Sequence, residues 1–166
     1  MVDPRDLLID VIKPTLGHLG MGGPVAEALV LGTAMCESGL SALHQENGVA
    51  LGLWQMEPAT AQDIWQNYLN YRTDLRMKIA SLLAVWPDGV SAQLETNLCY
   101  GAAMCRVKYQ RAPAQLPGLQ LGELAAYWKQ WYNTPKGAGT IQDFETRASA
   151  CLDPHLWRLR SDSLTT

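Results

Sequence analysis

The sequence has little net charge. It holds 13 Lys and Arg residues against 16 Asp and Glu residues, for a formal net charge of -3. The basic residues are scattered along the chain, whereas a nucleic-acid surface needs a stripe that neutralises successive phosphates. We therefore expect no nucleic-acid partner.

The sequence also lacks a secretory leader and any long apolar run. Its first residues, Met1-Val2-Asp3-Pro4-Arg5-Asp6, do not form the basic start followed by an apolar stretch that Sec-dependent export requires. Charged residues, Gly or Pro interrupt every apolar segment before it reaches the length of a membrane-spanning helix. We expect no Sec signal and no membrane insertion.

Cysteine and histidine are too sparsely placed to suggest a metal centre. His44 lies near Glu46, but no second pair of ligands follows at helical spacing, so we expect no metal ion and no cofactor. The four cysteines form no Cys-x-x-Cys pair, and we expect them to be buried apolar side chains, although their even number permits disulfides; they are Cys36, Cys99, Cys105 and Cys151.

What the chain does contain is helical periodicity. With 166 residues, of which 48% are hydrophobic, it is long enough for one core, and we predict a single domain over 1–166. Asp3 and Pro4 begin a first helix over about 4–16, and Pro24 begins a second that ends near Glu37-Ser38-Gly39. Residues 41–52 lack helical periodicity and predict a loop or a small hairpin.

The remaining helices are predicted from apolar spacing and from their capping residues. Thr140 and Asp143 have the spacing of a capping box. The predicted segments are a helix that Pro58 begins, one after Thr73 that stops at Pro87-Asp88-Gly89, a long buried helix over 94–109, a loop over 113–118, a helix over 121–131, a last helix after Thr140, and an irregular tail from about 153.

Glu37 is the strongest candidate for acid/base chemistry. It follows the apolar run 28–36 at the carboxyl end of a predicted helix. Partial desolvation and the negative end of the helix dipole both favour the protonated carboxyl. A carboxylic acid tuned in this way can deliver a proton near neutral pH.

Four sequence blocks place Glu37 in a wider pattern. The first block is Glu37-Ser38-Gly39, and the second is the stretch 50–61, Ala-Leu-Gly-Leu-Trp-Gln-Met-Glu-Pro-Ala-Thr-Ala. The third is 97–101, Asn-Leu-Cys-Tyr-Gly, and the fourth is Tyr132-Asn133. In this order they resemble the transglycosylase SLT family of the lysozyme-like superfamily, over about 29–135. The sequence departs from that family in three places. Trp54 stands where methionine is usual, and Thr134-Pro135-Lys136 replaces Ala-Gly-Pro. The usual Gly-Ala-x-Gly reads Val49-Ala50-Leu51-Gly52 here, with its first glycine displaced to Gly48.

The resemblance implies a mainly α fold of the α+β lysozyme-like kind, a helical domain with a loop or β-hairpin insert after the catalytic helix. It also implies a peptidoglycan lytic transglycosylase that needs no cofactor. Glu37 would protonate the bond between N-acetylmuramic acid and N-acetylglucosamine. The carboxylate would then deprotonate the muramic acid C6 hydroxyl, which attacks C1 and leaves a 1,6-anhydro end. This mechanism thus needs one catalytic carboxylate, whereas most glycosidases use two.

The resemblance also implies roles for the residues around the acid. Ser38 would orient Glu37 by a hydrogen bond, Gln55 would lie near the acid and the substrate, and Tyr132 would hold the Glu37 carboxyl. Asn133 and Trp54 would contact the substrate in the cleft.

Two alternatives stay open. One is a hydrolysing lysozyme, with Glu46, Glu57 or Asp63 as the second carboxylate that activates water. The other is a non-catalytic virion protein that keeps a lysozyme-like fold. Residues 52–60 and 122–128 are similar to uncharacterised proteins encoded among bacteriophage structural genes. We therefore expect a component of a phage tail or baseplate that acts on the periplasmic cell wall.

Overall fold

The computed structural model describes residues 1–45, 48–84, 89–135 and 137–152. This part of the chain is mainly helical, as expected. Its α-helices are α1 (Pro4–Asp6), α2 (Lys13–Leu19), α3 (Pro24–Ser38), α4 (Pro58–Asn67), α5 (Thr73–Ala80), α6 (Gly89–Thr96), α7 (Leu98–Gln110), α8 (Leu121–Trp128) and α9 (Ile141–Ala148). Two π-helical segments, Leu7–Ile12 and Lys129–Asn133, and a 3-10 turn, Leu69–Tyr71, extend them.

The N-terminal helix begins as expected and runs further than expected. The Asp3 carboxylate accepts a hydrogen bond from the Arg5 amide at 2.8 Å, which caps the first turn. Helical structure then continues through the π-helical segment Leu7–Ile12 and α2, to Gly20 at φ 71°. The wider π turn ends just before Pro14, whose missing N–H would interrupt an α-helical ladder.

Helix α3 lies at the centre of the fold, and most of its side chains are buried. It begins at Pro24 and ends at Ser38, as predicted from the sequence. Gly39 follows at φ 58° and Leu40 at φ 55°, so two successive left-handed residues turn the chain sharply away. This turn leaves Glu37 in the last helical turn.

The segment between α3 and α4 is irregular, in agreement with the expected loop or small hairpin. Its only β-structure in the described chain is a pair of isolated antiparallel bridges, His44 with Leu51 and Leu51 with Met56. Glu46 of this segment lies outside the described residues.

The predicted long helix over 94–109 is wrong, because the helical structure is interrupted at Asn97. The Asn97 side chain accepts a hydrogen bond from the Tyr100 amide at 3.0 Å and thereby caps α7. Its amide group also donates to the Leu82 carbonyl at 2.7 Å. Asparagine favours such a cap over a helix interior, and this local preference ends α6 and starts α7. Gly89, predicted as part of a stop, is the first residue of α6.

The last described helix confirms the predicted capping box. The Thr140 hydroxyl accepts from the Asp143 amide at 3.1 Å, and the Asp143 carboxylate accepts from the Thr140 amide at 2.7 Å. The predicted tail from 153 lies outside the described residues, as do Pro87 and Asp88.

Two hydrophobic clusters form the core. The larger one joins α3 to the N-terminal helices, α8 and α9, and contains Trp54 and Trp128. The smaller one lies among α4 to α7. All four cysteines are free thiols; Cys36, Cys105 and Cys151 are buried and Cys99 is partly exposed. Among the helices of the described ranges, none has the length and apolar character to cross a bilayer.

Gly52 permits the tight packing between the irregular segment and α6. It has φ 71°, and a Cβ atom there would collide with the Leu94 carbonyl oxygen. We predict that Gly52→Ala lowers the free energy of unfolding by about 1–3 kcal/mol, because backbone strain and a steric clash add. Chemical denaturation measures this loss.

Gly17→Ala is the matched control for this substitution. Gly17 is an exposed glycine within α2, and a Cβ atom there has nothing within 4 Å. The same substitution should stabilise the protein by about 0.5–1 kcal/mol, since alanine favours a helix. Equal effects at the two sites would contradict the packing of Gly52 against α6.

Candidate active site

Glu37 lies in the wall of a groove of about 500 Å³. The end of α3, the irregular segment, the start of α4, α7 and the π-helical segment Lys129–Asn133 all contribute to this groove. It brings together four of the residues predicted from the sequence, namely Glu37, Gln55, Tyr132 and Asn133. Its other walls are mostly neutral and polar, with Gln45, Thr60 and Thr134 among them, and such amide and hydroxyl groups suit a sugar-like ligand.

A buried tryptophan, which was not singled out in the sequence, holds the Glu37 carboxyl. The Trp128 indole Nε1 donates a hydrogen bond to Glu37 Oε1 at 3.0 Å. Trp128 is only 1% exposed, and its ring packs against Phe144 of α9 with 5.5 Å between ring centroids. It also fits against Gly139, where a Cβ atom would come within 2.7 Å of the ring. Trp128 is therefore held rigidly behind the acid.

The environment of Glu37 raises the pKa of its carboxyl above the ordinary value. Desolvation by burial is the main cause, as expected from the sequence. The Trp128 hydrogen bond and the positive charges of Lys108 and Arg147 act in the opposite direction. Glu37 is thus an acid whose conjugate base is also stabilised, which suits a group that both gives and takes a proton.

Among the described residues, the cations that act on Glu37 are Lys108 and Arg147. Lys108 lines the groove, and its Nζ donates to the Tyr132 carbonyl at 2.8 Å and lies 3.8 Å from the centroid of the Tyr132 ring. Arg147 of α9 donates to the Cys36 carbonyl at 2.7 Å and so satisfies one of the free carbonyls at the end of α3.

The structure corrects the expectation that Tyr132 holds the Glu37 carboxyl. The Tyr132 hydroxyl donates to the Trp54 carbonyl at 2.7 Å, and the Tyr132 ring is buried beside the groove. The π-helical turn places Tyr132 and Asn133 side by side in the groove wall. Tyr132 thus braces the loop that carries Gln55, while Trp128 supplies the hydrogen bond to the acid.

Trp54 is also corrected, because its ring belongs to the core. It is 2% exposed, its Nε1 donates to the Val30 carbonyl at 2.9 Å, and it lies against Gly101, where a Cβ atom would meet the ring at 2.8 Å. An indole ring is large enough to fill the interior between α3 and α7, so burial there wins over exposure in the cleft. Trp54 therefore does not present its ring to a ligand.

Ser38 stabilises the end of α3 in place of the expected contact with Glu37. Its hydroxyl donates to the Ala34 carbonyl at 3.0 Å and accepts from the Leu40 amide at 3.2 Å. Such local bonds are the ordinary use of a serine at a helix terminus.

Gln55 and Asn133 line the groove, although other residues hold their side chains. The Gln55 Nε2 donates to the Gly52 carbonyl at 2.8 Å, and the Asn133 Oδ1 accepts from Lys129 Nζ at 2.8 Å. Gln55 also has φ 43° and Thr134 has φ 73°. The described chain has one further non-glycine residue at positive φ, Leu40, just after the helix of Glu37. Backbone strain therefore concentrates around this groove, as it does at functional sites.

The three candidates for the second carboxylate of a hydrolysing lysozyme differ in their positions relative to the groove. Glu57 lines the groove and is exposed; it occupies the N-cap of α4 but makes no capping hydrogen bond. Asp63 is not in the groove wall, and it pairs with Arg111 at 2.7 Å. Glu46 lies outside the described residues.

A second hollow, of about 270 Å³, adjoins the groove and shares Thr60 and Lys108 with it. The partly exposed Trp131 and Pro113 form its walls, together with Arg111. A tryptophan in such a position can stack on a sugar ring. Within the described ranges, no three His, Cys, Asp or Glu side chains group to bind a metal ion.

Comparison of the chain with family models, with curated proteins and with solved structures gave no match.

The Trp128 hydrogen bond leads to a prediction about the pKa of Glu37. Trp128→Phe keeps an aromatic ring but removes the donor that favours the carboxylate, so the pKa of Glu37 should rise further above its ordinary value. A pH titration of the side-chain carboxyl carbon by NMR measures this change.

Trp65→Phe is the matched control, since Trp65 Nε1 donates to the Tyr100 hydroxyl at 2.8 Å, in the smaller cluster. It should leave the titration of Glu37 unchanged. A Trp128→Phe variant with an unaltered Glu37 titration would show that this hydrogen bond does not set the pKa.

Proposed function

We propose that this protein is a peptidoglycan-degrading lytic transglycosylase that cleaves the β-1,4 bond between N-acetylmuramic acid and N-acetylglucosamine, with Glu37 as its single acid/base. The observation that supports this most is the half-buried Glu37 carboxyl at the wall of a polar groove, with its pKa raised by desolvation. The four sequence blocks that resemble the SLT family support the same proposal.

Glu37 acts first as the acid. Burial raises the pKa of the carboxyl and so favours its protonated form, and the groove admits the glycosidic oxygen to it. As the proton leaves, Trp128, Lys108 and Arg147 stabilise the negative charge that forms on the carboxylate.

Glu37 then acts as the base. The carboxylate takes the proton of the C6 hydroxyl of the muramic acid, whose oxygen attacks C1 and closes the 1,6-anhydro ring. The nucleophile belongs to the substrate, so no second carboxylate is needed. Gln55 and Asn133 offer polar contacts along the groove, and Trp131 offers an aromatic surface next to it.

The first test is Glu37→Gln, which keeps the shape of the side chain and its ability to accept the Trp128 hydrogen bond. Loss of general acid/base catalysis should lower the rate of wall digestion by about 10²- to 10⁴-fold, with the circular dichroism spectrum unchanged. Release of soluble fragments from purified peptidoglycan measures the rate. Undiminished digestion by the folded variant would end the proposal.

Glu57→Gln is the matched control and separates the transglycosylase from a hydrolysing lysozyme. Glu57 shares the groove with Glu37, and this observation favours the hydrolase as the second candidate. A transglycosylase should keep its activity in Glu57→Gln and yield 1,6-anhydro ends by mass spectrometry. Reducing ends, together with a loss of activity in Glu57→Gln as large as that in Glu37→Gln, would establish the hydrolase instead.

We further propose that the protein is carried in a phage tail or baseplate and opens the periplasmic wall as DNA is delivered. The similarity of residues 52–60 and 122–128 to proteins encoded among phage structural genes supports this setting. The protein should then be found by mass spectrometry in particles purified on a density gradient. Presence only in the lysate of infected cells would indicate a late lysis enzyme, and particles that carry an inactive protein would favour the structural role.

A further inference from the structure

A cavity of about 230 Å³ lies apart from the groove of Glu37 and shares no lining residue with it. It is open on one side and bounded by the carboxyl-terminal half of α7, the turn that follows, and α8. Its walls include Arg106, Gln110, Gln115, Leu116 and Tyr127. None of these residues has a part in the proposed wall cleavage.

Arg106 lies in the wall of this cavity and has no ion-pair partner among the described residues. The residue is 6% exposed, and its Nε donates to the Met21 carbonyl at 3.0 Å. Its Nη1, by contrast, is fully buried and has no hydrogen-bond partner among the residues that the structure describes. Across the same ranges, the ion pairs are His44 with Glu95 and Arg111 with Asp63, so no carboxylate is paired with Arg106.

A buried guanidinium without a counter-charge is costly, since its hydration is lost and nothing replaces it. Among the described residues, the groups that favour the charged form of Arg106 are the Cys105 thiol and the Tyr127 and Tyr68 hydroxyls, and no carboxylate is one of them. Natural proteins rarely leave such a group unpaired unless a ligand or a partner supplies the missing charge. Because Arg106 lines the cavity while its Nη1 is fully buried, an anion in the cavity would act on the charge that the whole guanidinium shares.

The rest of the wall limits the kind of anion. One buried cation is balanced by a monoanion, whereas a phosphate dianion needs more positive charge than this wall provides. The planar guanidinium matches a carboxylate, and the amides of Gln110 and Gln115 can donate to it. Leu116 and Pro113 add an apolar side, and the volume suits a group of about the size of one amino-acid residue.

We propose that this cavity is a binding site for the terminal carboxylate of a short peptide with a small apolar last residue, and that Arg106 is its principal ligand. The site is independent of the proposed wall cleavage. Two sources share this chemistry: a peptide that ends in a D-amino acid, as bacterial wall peptides do, and the carboxyl terminus of a partner protein, which ends in an L-amino acid.

The test is an NMR titration of the full chain with N-acetyl-D-alanine, N-acetyl-L-alanine and the uncharged N-acetyl-L-alaninamide. Either acid should cause saturable shifts of the Arg106 Nε–H resonance and of the backbone amides of Gln110 and Gln115, and the amide should cause none. Preference for the D-acid would identify a wall peptide as the source, and preference for the L-acid would identify a protein terminus. Equal shifts with the uncharged amide, or no shift with either acid, would overturn the proposal.

Variants assign the binding to Arg106. Arg106→Gln should abolish the shifts, and Arg111→Gln, which removes an arginine already paired with Asp63, should leave the affinity unchanged. Arg106→Lys keeps the charge but loses the planar fork, and it should weaken binding at least tenfold while the fold persists. Unchanged affinity in both Arg106 variants would contradict the assignment. The catalytic variant Glu37→Gln should bind as the wild type does, so a failure of this site is distinguishable from a failure of the proposed enzyme.

Discussion

The hydrogen bond between the Trp128 indole and the Glu37 carboxylate joins two parts of the chain that are 91 residues apart. A buried indole N–H without an acceptor is costly, and so is a half-buried carboxyl without a donor. The indole N–H supplies the donor and the carboxylate supplies the acceptor, and this bond fixes the end of α3 against α8. The packing of Phe144 and Gly139 around the Trp128 ring then fixes the position of α9 behind the acid.

The groups around Glu37 have opposing effects on the pKa of its carboxyl. Desolvation raises the pKa of Glu37, while Trp128, Lys108 and Arg147 lower it, and the net direction is upward. A carboxyl that was only buried would give up its proton poorly, and one that was only paired with cations would hold none near neutral pH. Both kinds of neighbour lie close to Glu37, which is the arrangement that the proposed acid and base steps would need.

Trp54 belongs to the sequence pattern that resembles the SLT family, but its side chain supports the packing beside the groove and does not line it. Its ring fills the core against Gly101, and its carbonyl accepts the Tyr132 hydroxyl. The loop that carries Gln55 is thereby tied to the π-helical turn that carries Asn133. Two positions of the pattern, Trp54 and Tyr132, thus shape the groove, while a tryptophan outside the pattern contacts the acid.

Local signals in the sequence determined where several of the helices begin, because Pro24, Pro58 and the Thr140–Asp143 capping box act within one turn of the chain. They also marked Glu37 and its neighbourhood, since the end of α3 follows from the glycine after Ser38. Only the tertiary structure decided which donor reaches Glu37, where Trp54 lies, and that Lys108 and Arg147 flank the acid. These depend on contacts between residues far apart in sequence, where several aromatic and basic side chains have the same local pattern and packing alone selects among them.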